Sequence, residues 1–257
     1  MVKRALFLHI HKTAGTSVQE MAREVYGNKQ VVSHADFQNI GVEGCRLYEF
    51  ISGHFGFAFA QPLMEGRYCF TFLRDPADRL VSLYDFCLAR NPAENPMYAF
   101  AQSRDLEGFL RDSHDAGHFS LVWNSQVWQL AHGRGHTLAG GPEITLREAD
   151  PVSLLSQAKL NLTKFDHVGL VQFFREDISK IFRDLEASHV TSRWSNASQG
   201  SRQRQNNSRP VRLLLDSMTE LDRELYDHAI KMRNIRSHRG QWAEFAAKQW
   251  SRAFSRA

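Results

Sequence analysis

A chain of 257 residues, 42% hydrophobic and 23% charged, is long enough to bury an extensive core without disulfide or metal staples. A formal charge of +4 is compatible with a plain solvated surface, a site for polyanionic small molecules or sulfated sugars, or a nucleic-acid surface; the last is disfavoured because the nearest thing to a basic run is Arg202-Gln203-Arg204. The three cysteines, Cys45, Cys69 and Cys87, are odd in number and lack C-x-x-C spacing, which argues against a disulfide framework or a structural zinc site and for a reducing compartment.

Ala5 to Ile10 is a short apolar run ending at a polar loop, the pattern of a buried parallel strand. It is too short for a signal-peptide core, and no segment reaches the roughly 20 apolar residues of a membrane span, so a soluble, cytoplasmic protein is expected. Val18, Met21, Ala22 and Val25 recur at helical spacing and Gly27 supplies a stop. Leu47 to Gly53 reads as a second, weaker strand, and the alternation of Phe55, Phe57 and Phe59 as a strand face, more consistent with core than with a sugar-stacking platform. Arg67 to Leu73 is a clear third strand. Asp75 and Pro76 are suited to the N-cap and first position of a helix whose apolar stripe is Leu80, Val81, Tyr84, Cys87 and Leu88.

Further on, 91–96 reads as a turn, Leu106 to Arg111 and Leu121 to Leu130 as helices, and 132–142 as a Gly-rich loop. Leu154 to Leu162 predicts a helix feeding a strand at Asp166 to Val171, with Ile178, Ile181, Phe182 and Leu185 marking the next helix. Trp123 and Trp128 fit core packing better than an acceptor cleft. Ser192 to Pro210 is a long polar loop, followed by helical patterns at Thr219 to Met232 and Gln241 to Phe254. Repeated strand–helix units with no interdomain linker predict a single α/β domain over 1–257: a P-loop-like, three-layer fold with a central, mostly parallel sheet flanked by helices.

The loop between the first strand and first helix is Lys12-Thr13-Ala14-Gly15-Thr16-Ser17. A helix N-terminus presents free N–H groups and a positive dipole end, and so cradles phosphate or sulfate. Gly15 allows close backbone approach, Thr13, Thr16 and Ser17 carry hydroxyls, and Lys12 carries a point charge. An ordinary capped turn would have much the same composition. The loop is not a Walker A motif, because His11 stands where the glycine before the lysine belongs, which disfavours a nucleotide kinase. Arg74 closes the third strand at the edge where open α/β sheets bind ligands. Ser82, eight residues on, lies where it could share a phosphate with that guanidinium, although Arg74 alone could simply cap the sheet edge.

His9 to Ser17, taken with Phe70 to Ser82, resembles the family that includes heparan sulfate 2-O-sulfotransferase and related bacterial enzymes. Weaker similarity runs through Asn124 to Leu130, Phe165 to Leu170 and Leu221 to Tyr226. The resemblance implies that the donor is 3′-phosphoadenosine 5′-phosphosulfate (PAPS), converted to 3′-phosphoadenosine 5′-phosphate (PAP). It implies that Lys12, Thr13, Ala14, Gly15, Thr16 and Ser17 grip the 5′ side and that Arg74 and Ser82 grip the 3′-phosphate. The family carries its catalytic base in a Gly-His segment matched by Gly53-His54, which assigns His54 that role and Lys12 stabilisation of the leaving phosphate. Without the resemblance His54 would read as a structural hydrogen-bonder. The chain departs from the family at His11, where proline is usual, and at Ser52, where some members have a second histidine. Arg202 falls in a segment resembling the one that closes over the nucleotide, though a merely solvated loop fits as well. A carbohydrate is the expected acceptor. The alternatives are a kinase with a degenerate P-loop and a non-catalytic module binding sulfated glycans. His9/His11, His114/His118 and His132/His136 have metal-pair spacing but no third ligand nearby in sequence, and no metal is expected.

Overall fold

A computed structural model describes residues 2–32, 36–113, 119–132, 150–187 and 208–235, with the side chains of residues 119 and 120 excluded. Arg202, the Gly-rich loop beyond His132, nearly all of the polar loop at 192–210 and the helical pattern at 241–254 lie outside these residues.

The sheet contains β1 (Ala5–Leu8), β2 (Val31–Val32), β3 (Phe50–Gly53), β4 (Tyr68–Leu73) and β5 (His167–Leu170), in the order β2-β3-β1-β4-β5. Every pairing among the described residues is parallel, in line with the mostly parallel sheet expected. The period of two along β1 divides the core. Leu6 and Leu8 face one apolar cluster, with Ile51, Leu73, Val127 and Leu162. Ala5 and Phe7 face the other, with Val18, Met21, Phe70 and Ile178. Helices cover both faces: α1 (Gly15–Tyr26) lies on the Phe7 side. α8 (Ser125–Ala131), α9 (Pro151–Leu162) and a helix over 220–235, here α12, lie on the Leu8 side. This is the three-layer α/β architecture expected.

Most strand–helix units form where the patterns place them. Gly27 caps α1 at φ 79°, a conformation that favours glycine. Asp75 accepts a hydrogen bond from the Asp78 N–H at 3.1 Å and Pro76 opens α4 (Pro76–Leu88). Cys69 and Cys87 are buried, as core residues should be.

Three readings need correction. Strand β3 begins at Phe50, and Leu47 is 79% exposed, because the preceding chain closes α2 (Asp36–Cys45) in a turn. Phe57 and Phe59 belong to a one-turn helix, α3 (Phe57–Ala60), not to a strand; with Phe55 they are nonetheless all buried. The helical run at 121–130 is two helices, α7 (Phe119–Val122) and α8, separated at Asn124, whose φ of 39° breaks the helix. Besides these, α5 (Pro96–Gln102), α6 (Leu106–Asp112) and α11 (Arg209–Met218) pack with α4 in a third apolar cluster, and α10 (Phe174–Asp184) covers the Phe7 face.

Candidate active site

Register brings the two motifs together. Leu8 is paired with both Gly53 and Thr71, so β1, β3 and β4 end side by side and release His9, His54 and Arg74 at one edge of the sheet. The order β2-β3-β1-β4-β5 sends the chain to opposite sides of β1, and the crevice outside such a switch is where open α/β sheets take ligands.

The loop after β1 is a strained turn. Lys12 and Ala14 both have φ 68°, in the left-handed region. Each costs on the order of 1–2 kcal/mol, and such strain concentrates where backbone N–H groups must converge. The Thr13 hydroxyl donates to the Ile10 carbonyl at 2.8 Å and is fully buried. Its proton therefore closes the turn rather than facing the crevice. Thr16 is exposed and Ser17 buried in the first turn of α1, where the leading N–H groups have no helical acceptor.

Gly15 has a second reason to be glycine. A Cβ there would lie 1.7 Å from Nε2 of His9. The His9 ring is fixed, stacked on Phe7 at 5.2 Å and tilted against His54 at 4.3 Å. Gly15→Ala should therefore cost about 1–3 kcal/mol in urea unfolding, the usual cost of overpacking, and lower turnover by displacing His9.

Arg74 joins the loop to the second motif. Its Nη1 donates to the Lys12 carbonyl at 3.2 Å. Its backbone is held by Gln126: the Arg74 N–H donates to Oε1 at 3.0 Å, and Nε2 donates to the Arg74 carbonyl at 3.0 Å. Gln126 and Val127 in turn donate their N–H groups to Asp222, at 3.2 and 2.7 Å, and the Asp222 N–H donates to the Asn124 side chain at 3.0 Å. Burial pushes the Asp222 carboxyl up, opposed by the fully buried Arg79 guanidinium, itself lowered to about 10 by burial. The second motif thus rests on a buried polar brace between α4, α8 and α12.

Lys12 places its ammonium 4.1 Å from the centroid of the Phe86 ring. Ser82 is one helical turn before Phe86, and so on the face of α4 that Lys12 covers. Arg74 thus bonds the Lys12 turn directly, and Phe86 of α4 receives its ammonium. Burial, then the Arg74 charge, lowers Lys12 to about 8. Burial likewise lowers Arg74, with Asp78, Asp75 and Asp85 opposing. Two cations held together against desolvation at a helix N-terminus form a site whose free energy falls on binding an anion.

His54 is partly buried, and its Nδ1 lies 2.9 Å from the His9 carbonyl oxygen. A carbonyl only accepts, so the neutral ring carries its proton on Nδ1 and its basic lone pair on Nε2. The ring stacks on His11 at 3.5 Å, 18° from parallel. His11, at the position where proline was expected, thus supplies an imidazole beside the candidate base. Ser52, in the place of a helper histidine, is buried and accepts from Gln19 Nε2 at 3.2 Å.

The structure therefore brings together Lys12, Ala14, Gly15, His54, Arg74 and the α4 face bearing Ser82. Sequence reasoning missed Gln126, Gln129 and Asp222, whose only signal was the faint similarity at Asn124 to Leu130 and Leu221 to Tyr226. It considered His9 and His11 only as a metal pair. Among the described residues, no group of three or more His, Cys, Asp or Glu could hold a metal ion, and no helix is long and apolar enough to cross a membrane.

The model of the sulfotransferase family matches residues 2–232. The chain belongs to the sulfotransferase family. That match spans both loop motifs of this sulfotransferase and the α8 and α12 segments that brace them. No curated protein matches the chain.

Proposed function

We propose that this sulfotransferase moves a sulfuryl group from PAPS to a hydroxyl of a carbohydrate. The observation that carries the reading is the convergence of Lys12 and Arg74 on the N-terminus of α1, with His54 at the neighbouring strand end. Two cations joined through the Lys12 carbonyl suit a nucleotide with phosphate at both the 5′ and 3′ positions. PAPS supplies the activated sulfuryl group, leaving PAP. Lys12, the loop N–H groups and the Thr16 and Ser17 hydroxyls hold the 5′ side, and Arg74 with Ser82 holds the 3′-phosphate. His54 takes the acceptor hydroxyl proton on Nε2 as its oxygen bonds to sulfur, and the His9 carbonyl keeps Nδ1 protonated throughout. Lys12 neutralises the charge that builds on the departing phosphate oxygen. The carbohydrate acceptor is supported by the resemblance of both loop motifs to carbohydrate-modifying sulfotransferases, and a cytoplasmic setting by three buried free thiols.

Because Lys12 is held near 8, its charge is lost as pH rises through that value. Turnover under saturating donor should fall on the alkaline side, with a midpoint at or above pH 8 because bound anion favours the charged form. Lys12→Arg should remove that limb from the pH–kcat profile while keeping measurable activity.

The reading is tested by incubating the protein with 35S-labelled PAPS and a panel of oligosaccharides. Label on a glycan with equimolar PAP supports it. Binding of heparin fragments with no PAP-induced thermal shift would point to a glycan-binding module, and magnesium-dependent consumption of ATP to a kinase.

A further inference from the structure

His54 Nδ1 donates to the His9 carbonyl, which sets the neutral tautomer, and that carbonyl is itself held. The fully buried Gln129, on α8, donates through Nε2 to the His9 carbonyl at 3.0 Å and to the Phe55 carbonyl at 2.9 Å. The His9 oxygen thus accepts from both His54 Nδ1 and Gln129, which fills its two lone pairs. Phe55 directly follows His54, so one amide fixes both the acceptor of the base's proton and the backbone that carries the base. The opposite amide orientation would set Oε1 against two carbonyl oxygens, so chemistry settles it. In the orientation observed, Gln129 Oε1 is buried with no hydrogen-bond partner among the described residues. Its donors are thus spent on the two carbonyls that flank the base, while its own acceptor goes unpaired.

We propose that Gln129 is a positioning residue for the sulfuryl-transfer reaction: through the His9 and Phe55 carbonyls it holds His54 in the Nδ1-protonated tautomer and aims Nε2 at the acceptor. The inference rests on the assignment of His54 as base in the function proposed above. Gln126, one turn earlier on the same helix, holds the Arg74 backbone, so α8 braces base and phosphate site from one face.

The test replaces Gln129 with methionine, which keeps the shape, removes both donors and also removes the unpaired acceptor. The PAP-induced thermal shift and the KM for PAPS should stay within twofold of wild type, while kcat falls roughly ten- to hundredfold, the scale of a misplaced reacting group. In a His54→Ala background the same substitution should change the residual rate less than twofold, since the group it positions is gone. Gln129→Leu repeats the test should the methionine variant fold poorly. A kcat within twofold of wild type, an equal loss in the His54→Ala background, or loss of the PAP shift in both variants would overturn the inference, the last by showing a purely structural role. A wild-type protein that transfers no sulfuryl group would overturn the proposed function instead, and this inference with it.

Discussion

His54→Ala should lower sulfuryl transfer by about 10²–10⁴-fold, the usual contribution of a general base, while leaving PAP binding intact. The separation of effects follows from geometry. His54 leaves the sheet at the end of β3 and is anchored to the His9 carbonyl, whereas the Lys12 turn and Arg74 are anchored to each other and to α8. Removing the imidazole leaves the His9 carbonyl still bound by Gln129, and the two cations stay in place. Single-turnover rates and PAP titrations on the same preparation check both halves. A variant that retains turnover would remove His54 from the base role. One that loses PAP binding would show that the ring, stacked on His11 at 3.5 Å, is part of the loop's architecture rather than its chemistry.

Arg74→Ala should weaken PAP binding by about 1.5–3 kcal/mol, roughly ten- to hundredfold, the value of a charge-assisted hydrogen-bond pair, and ADP binding by much less. The guanidinium has two tasks, and the comparison separates them. Its Nη1 bond to the Lys12 carbonyl steadies the loop for any nucleotide, so losing that bond costs PAP and ADP equally. A bond to a 3′-phosphate is available to PAP alone. An equal loss for both nucleotides, measured by calorimetry, would leave Arg74 only the first task. Lysine at this position should rescue poorly, because the fork that reaches carbonyl and phosphate together becomes a single ammonium.

The parts of the fold that could be read from sequence are those whose cause is local. β1 and α1 follow from an apolar run and a 3.6-residue period, and α4 from an Asp-Pro cap next to an apolar stripe. β2 is two residues long and exists because Val31 and Val32 pair with Phe50 and Ile51 across the sheet, so no local pattern announces it. The alternation at Phe55, Phe57 and Phe59 misleads because Phe57 and Phe59 are both buried from a single helical turn and Phe55 from the chain before it, with no strand needed. The site divides in the same way. Lys12 to Ser17 and Arg74 stood out as candidates because loops at strand ends carry compact motifs, and His54 only through the family resemblance. Gln126 and Gln129 were not: they act on backbone groups 52 and 120 residues away, through contacts that leave no period or motif. His9 and His11 looked like a metal pair by spacing. The Leu8–Gly53 register instead brings His54 against both rings.

The central claim is that the Lys12 turn and Arg74 form one site for a nucleotide phosphorylated at both ends. Calorimetric titration of the wild-type protein with PAP, ADP and magnesium–ATP tests it most directly. PAP should bind at least tenfold more tightly than ADP, without magnesium, with the preference lost in Arg74→Ala. Equal affinity for PAP and ADP, or binding of ATP that requires magnesium, would contradict it.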